Sequence, residues 1–77
     1  MSKDRQLYIA AFKELIDEVV RENRNNPERA KELIVEEVLR EAKKAFRPED
    51  YEEVKMHALR KLTELGFSAK ELEELLK

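Results

Sequence analysis

With 77 residues, 16 basic and 18 acidic side chains and no cysteine, the chain has room for one small domain and none for thiol chemistry. Disulfides, thiolate metal sites and cysteine nucleophiles are excluded together. The formal charge of −2 conceals an even distribution: residues 1–26 and 27–46 each carry five charges of either sign, 47–66 carries four basic against five acidic, and 67–77 two against three. No segment forms the basic stripe of a nucleic-acid binder or of a helix lying on an anionic membrane. No apolar run approaches the ~20 residues of a membrane span, and the N-terminus lacks a signal-peptide core. The expectation is a soluble protein without a targeting signal, consistent with cytoplasmic expression.

Apolar residues recur at helical spacing in four segments, placed at about 4–24, 27–46, 48–65 and 69–77. In the first, Tyr8, Ile9, Phe12, Leu15, Ile16, Val19 and Val20 share one face. Ser2 or Asp4 is placed to cap it, and Asn25 and Asn26 to close it, since Asn tolerates a left-handed backbone better than most residues. The second segment begins with Asn26 as N-cap, Pro27 as first helical residue and Glu28 at the positive end of the helix dipole. Its face comprises Ile34, Val35, Val38, Leu39, Ala42, Ala45 and Phe46, and Arg40, Lys43 and Lys44 favour its C-terminal end.

The third segment starts near Pro48, after a poor N-cap in Arg47, and presents Tyr51, Val54, Ala58, Leu62 and Leu65, with Leu59 at the edge. Gly66, the only glycine, stands where a helix end takes a left-handed residue. Ser68-Ala69-Lys70-Glu71 then reads as a capping box, with Phe67 and Leu72 placed as its hydrophobic staple. The last segment offers Leu72, Leu75 and Leu76 and is too short to be stable alone, so it must dock on the others. No hairpin signal occurs, and the short connections make sequential helices antiparallel or sharply angled. The fold expected is all-α: a compact bundle of three main helices plus a short C-terminal fourth.

Residues with chemical potential are few. His57, the only histidine, lies off the third apolar face, within reach of Glu53, and is expected to be a solvated surface residue. Carboxylates recur at one-turn spacing, as in Glu14, Glu18 and Glu22, or Glu37 and Glu41, on faces expected to be solvated rather than to converge on a cation. Tyr8, Phe12, Phe46, Tyr51 and Phe67 are accounted for as core or staple residues. No nucleophile–base constellation is present, and the expectation is no enzyme activity, no cofactor and no metal site. Three apolar residues fall off their stripes. Leu33 or Met56 is expected to pack within the molecule, and Leu7 to be exposed by fraying.

The stretch Leu62-Thr63-Glu64-Leu65-Gly66-Phe67-Ser68, followed by Leu72 and Leu75, is similar to the Leu-x-x-x-Gly-Phe-Ser stretch of the RecX recombination regulators. It also resembles the Met-Gly-Phe turn of ubiquitin-associated domains, with Leu65 where that family has Met. The resemblance implies a three-helix module, and a ubiquitin-binding role would fall on Leu65, Gly66 and Phe67. The chain as a whole resembles a computationally designed helical bundle, in its Glu/Lys/Arg surfaces, single glycine, Pro-Glu helix starts and capping box. A hyperthermophile protein would share the Glu/Lys enrichment. The design resemblance implies a monomeric scaffold with no biochemical function and no partner. The alternative is a small protein–protein interaction module that uses the Gly66–Phe67 turn or its exposed apolar residues.

Overall fold

A computed structural model describing residues 2–77 shows four helices: α1 (Ser2–Glu22), α2 (27–45), α3 (Pro48–Glu64) and α4 (Ala69–Leu75). The all-α bundle expected from periodicity is what forms, and most of its boundaries follow the signals in the sequence. Met1, the position before α1, lies outside the described residues, and Asp4 sits inside the first turn rather than ahead of it. At the other end α1 stops at Glu22, and the closing residue is Asn23. Its side-chain amide donates to the Val19 carbonyl at 2.9 Å, and its backbone N–H donates to the same oxygen at 3.1 Å. Among the described residues only Gly66 has positive φ, so Asn25 and Asn26 do not supply the left-handed turn expected of them. Asn26 does cap α2, accepting from the Arg29 N–H at 3.3 Å, and Pro27 follows it.

The largest departure from regularity is in the middle of α2. Regular α-helix over Pro27–Leu33 and Leu39–Ala45 is separated by a π turn at Ile34–Val38, where the Leu39 N–H reaches back five residues to the Ile34 carbonyl. One extra residue in the turn sets the downstream face back by about 100°. The offset explains which residues of the second stripe enter the core. Leu39 is brought inward and fully buried, while Ala45, expected on the same face, turns outward and is exposed. Upstream of the turn Ala30, absent from the expected face, is buried.

The core is built from Ile9 and Ile16 of α1, Ile34, Val38, Leu39 and Ala42 of α2, Val54, Ala58, Leu59 and Leu62 of α3, and Leu72 of α4. Phe12 and Phe46 close one side edge-to-face, with ring centroids 5.0 Å apart and planes at 74°. Side-chain ties between α1 and α3 rise together in sequence, from Arg5–Asp50 through Lys13–Glu53 to Asp17–His57, so these two helices run parallel. α2 runs antiparallel to α1: only residues 23–26 connect them, and Phe46, just past the far end of α2, meets Phe12 in the first half of α1.

The turn into α4 has the geometry its sequence implies. Gly66 has φ of 108°, its N–H donates to the Thr63 carbonyl at 3.0 Å, and the Phe67 N–H donates to the Leu62 carbonyl at 3.2 Å. These are the two bonds of a Schellman motif. Ser68 then accepts from the Glu71 N–H at 3.2 Å, while the Glu71 carboxylate lies 3.9 Å from Lys31, so the bonds present are half of a reciprocal box. Leu72 is fully buried and Phe67 packs against the same core, as a staple requires.

A methyl group on Gly66 would meet no atom within 4 Å, so Gly66→Ala should lose only conformational energy, about 1 kcal/mol. Ser68→Ala should lose about 1 kcal/mol through the freed Glu71 amide. Both losses should appear first as reduced amide-exchange protection over residues 67–77. The π turn makes a different prediction. Deleting Glu36, exposed within it, should restore regular helix and leave Leu39 and Ala42 in the core. Chemical denaturation should find that variant far closer to wild type than a deletion of Glu32, which would rotate every later residue of α2 by about 100°.

Candidate interaction surface

Three packed helices have three outer seams, and in this chain each has a different fate. The α1–α3 seam is closed by charge. Arg5 holds Asp50 through two contacts, Nε to Oδ2 at 2.9 Å and Nη2 to Oδ1 at 3.1 Å. Asp50 is only 5% exposed, although the sequence presents it simply as an acid in the first turn of α3. Lys13 and Glu53 pair at 2.7 Å one step along.

His57 forms the next tie, and here the expectation of a solvated residue is overturned. Its side chain is 13% exposed, with Nε2 at 2.8 Å from Asp17 Oδ1 and Nδ1 at 3.3 Å from Arg60 Nη2. Glu53 is held by Lys13 and does not take part. With the proton on Nε2 the ring donates to Asp17 and accepts from Arg60, which satisfies both contacts. Lys61 lies 3.8 Å from the same Asp17 oxygen. The wheel of α3 alone hides this arrangement, because the burial comes from α1. Among the described residues no group of three or more acids and histidines is arranged to hold a metal, and no buried side-chain nitrogen or oxygen lacks a hydrogen bond.

The α2–α3 seam is covered by α4. Leu75 lines a depression with Val35 and Glu32 of α2, and Leu76 one with Met56 and Leu59 of α3. Lys31 reaches over this helix, 4.8 Å from the Phe67 ring centroid and 3.9 Å from Glu71. The Gly66–Phe67 turn is thereby part of the packing: Phe67 is half-buried against the core rather than displayed. Met56 stays largely exposed beside the end of α4, whereas Leu33 is half-buried.

The α1–α2 seam has no cover among the described residues. Its floor is Phe12, Leu15, Val19, Leu33 and Val38, and Glu37 and Glu41 stand along its α2 edge, forming a groove of about 410 Å³. Leu33, Glu37 and Glu41 align because the π turn sets Glu41 back into one row with the other two. Toward the N-terminal end of α1, Ala11, Tyr8 and Leu7 line a second depression together with Asp4, and the four-residue spacing Leu7–Ala11–Leu15 places it next to the groove. Leu7 and Tyr8 are 66% and 65% exposed and Leu15 is 44% exposed, all within continuous helix rather than at a frayed end. Two of these three, Tyr8 and Leu15, belong to the stripe expected to face the core. The first stripe is wider than this chain buries.

No helix is long and apolar enough to cross a membrane. Comparison with known proteins finds no family, no curated protein and no solved structure that matches the chain.

The two tested ties of the α1–α3 seam should differ sharply in worth. Arg5→Ala strands a buried carboxylate and should destabilise by about 2 kcal/mol. Lys13→Ala breaks an exposed pair and should cost under about 1 kcal/mol. Urea midpoints of the two variants measured side by side check the difference.

Proposed function

We propose that this protein is a small helical interaction module whose working surface is the outer face of α1 and its seam with α2. The observation that supports it most directly is contiguity. Leu7, Tyr8 and Leu15 are exposed, lie on one side of one helix, and run into a groove with an apolar floor. Single exposed leucines are ordinary, but a continuous apolar surface marks sites of association. The π turn adds weight, because such turns persist in helices frequently where function requires them. The notable break in helical regularity is also the feature that shapes one wall of the groove.

On this proposal the Gly66–Phe67 turn is structural, and the chain works by binding rather than catalysis. The His57–Asp17 pair ties α1 to α3, with both ring nitrogens engaged inside the protein. A second reading, a designed scaffold made only to fold, is favoured by the thorough capping at Asn26, Gly66 and Ser68. The two readings differ over what the apolar face is for.

If the face serves binding, its residues contribute little to folding. Leu7→Lys, Tyr8→Lys and Leu15→Asp should each leave stability within about 0.5 kcal/mol of wild type in urea titrations. A helical peptide with a leucine stripe and uncharged glutamine flanks, titrated into labelled protein, should shift amides of α1 and α2 along the seam saturably. Leu15→Asp should remove the effect. Shifts that never saturate, or that Leu15→Asp leaves in place, would count against an interaction module and for the scaffold.

A further inference from the structure

Resting on the interaction-module reading, we infer that the occupant of the α1–α2 seam is a basic amphipathic helix, one that carries lysine or arginine on both sides of an apolar stripe. Charge at the edges of the groove carries the inference. Its α2 wall bears Glu37 and Glu41, and on α1 Glu18 and Glu22 stand three residues on from Leu15 and Val19, beside them on the helix surface. All four are exposed, and none takes part in an ion pair among the described residues. Most acidic residues elsewhere do have basic partners, as with Asp17, Glu28, Glu32, Asp50, Glu52 and Glu53. Carboxylates are thus left unpaired along an apolar floor, and a partner supplying cations at both edges satisfies them.

α4, the acidic helix AKELEEL, makes one such contact, Glu71 with Lys31 at 3.9 Å, in a seam whose walls carry charges of both signs. Charge also argues against a second copy of the chain docking through its α4 or its α1 face, since either would bring acids to carboxylates already without partners. The exposed surface from Leu7 to Val19 is also about 18 Å long and one helix wide, the footprint of a single helix. A stable globular pair typically needs about 800 Å² from each partner.

Three peptides of about 18 residues, long enough to run the length of the seam, test this. They share one leucine stripe and differ only in flanks of lysine, glutamine or glutamate. With labelled protein the lysine peptide should bind about tenfold or more tighter than the glutamate peptide at low salt, and the gap should shrink as salt rises. Its amide shifts should lie along α1 and α2, and Leu15→Asp should abolish them, which separates seating in the groove from diffuse attraction. Glu37→Lys combined with Glu41→Lys should reverse the order of the lysine and glutamate peptides. Equal binding of all three, still lost in Leu15→Asp, would overturn the basic-helix inference and leave the module reading intact. Failure of all three to bind at the seam would sink both. A dimer in sedimentation that Leu15→Asp dissolves would make a second copy the occupant and overturn the inference.

Discussion

The arrangement of the whole molecule depends on the phase of its middle helix. α2 packs against both α1 and α3 and borders α4, and in a regular helix the apolar residues of its two halves would be spread over about 140°. In an unbroken helix Ile34 and Leu39 would point about 140° apart, since successive residues are separated by about 100°. The π turn removes most of that difference, and both side chains are fully buried. A π turn departs from the regular i→i−4 bonding, and here packing on both sides of it is served by the departure. Here the upstream half is fixed by the Asn26 cap and Ala30, and the downstream half by Leu39, Ala42 and the Phe12–Phe46 contact. Once the phase is set, the polar consequences follow. Ala45 turns to solvent, and Leu33, Glu37 and Glu41 come into one row beside α1.

With α2 fixed, the bundle treats its seams in three chemically distinct ways. Between α1 and α3 the contact is lined by ion pairs and a histidine tie, which hold two parallel helices in register. Asp50 illustrates the stakes, because a carboxylate at 5% exposure is tolerable only while Arg5 holds both its oxygens. Between α2 and α3 the solution is internal, a short helix stapled in place by Phe67 and Leu72. Between α1 and α2 neither device is used. The residues there are apolar at the floor and acidic at the α2 edge, which leaves apolar area of Leu15 and its neighbours in contact with water.

Local signals in the sequence carry the helix ends well, and tertiary ones poorly. Asn26, Pro27, Gly66 and Ser68 act within four residues of themselves, so their roles can be read without knowing the fold. The π turn has no comparable signature. Ile34-Val35-Glu36-Glu37-Val38 fits a regular helix by itself, and only the demand that Leu39 join Ile34 in the core selects the wider turn. His57 and Asp50 were obscured for the same reason: their partners, Asp17 and Arg5, are 40 and 45 residues away and belong to another helix. Tyr8 and Leu15 fell on the apolar stripe of α1, but a stripe gives the width of a face and not how much of it neighbouring helices cover. The uncovered remainder is the exposed apolar side of α1.

The comparison between the occupied and the open seam also bears on how an incoming helix would be held. α4 has one fully buried residue, Leu72, and a helix of its length is marginal in isolation. It stays folded because the Gly66–Phe67 turn keeps it beside its seam at high effective concentration, and because Ser68 caps it on arrival. A helix from another molecule has no such tether and must lose its own freedom on docking. The open seam compensates in two physical terms. Its exposed apolar surface extends over about three turns of α1, so more than one side chain can anchor. Its unpaired carboxylates attract a cationic partner before contact and fix its orientation afterwards. On the interaction-module proposal, attraction at the acidic rim would do part of what the tether does for α4.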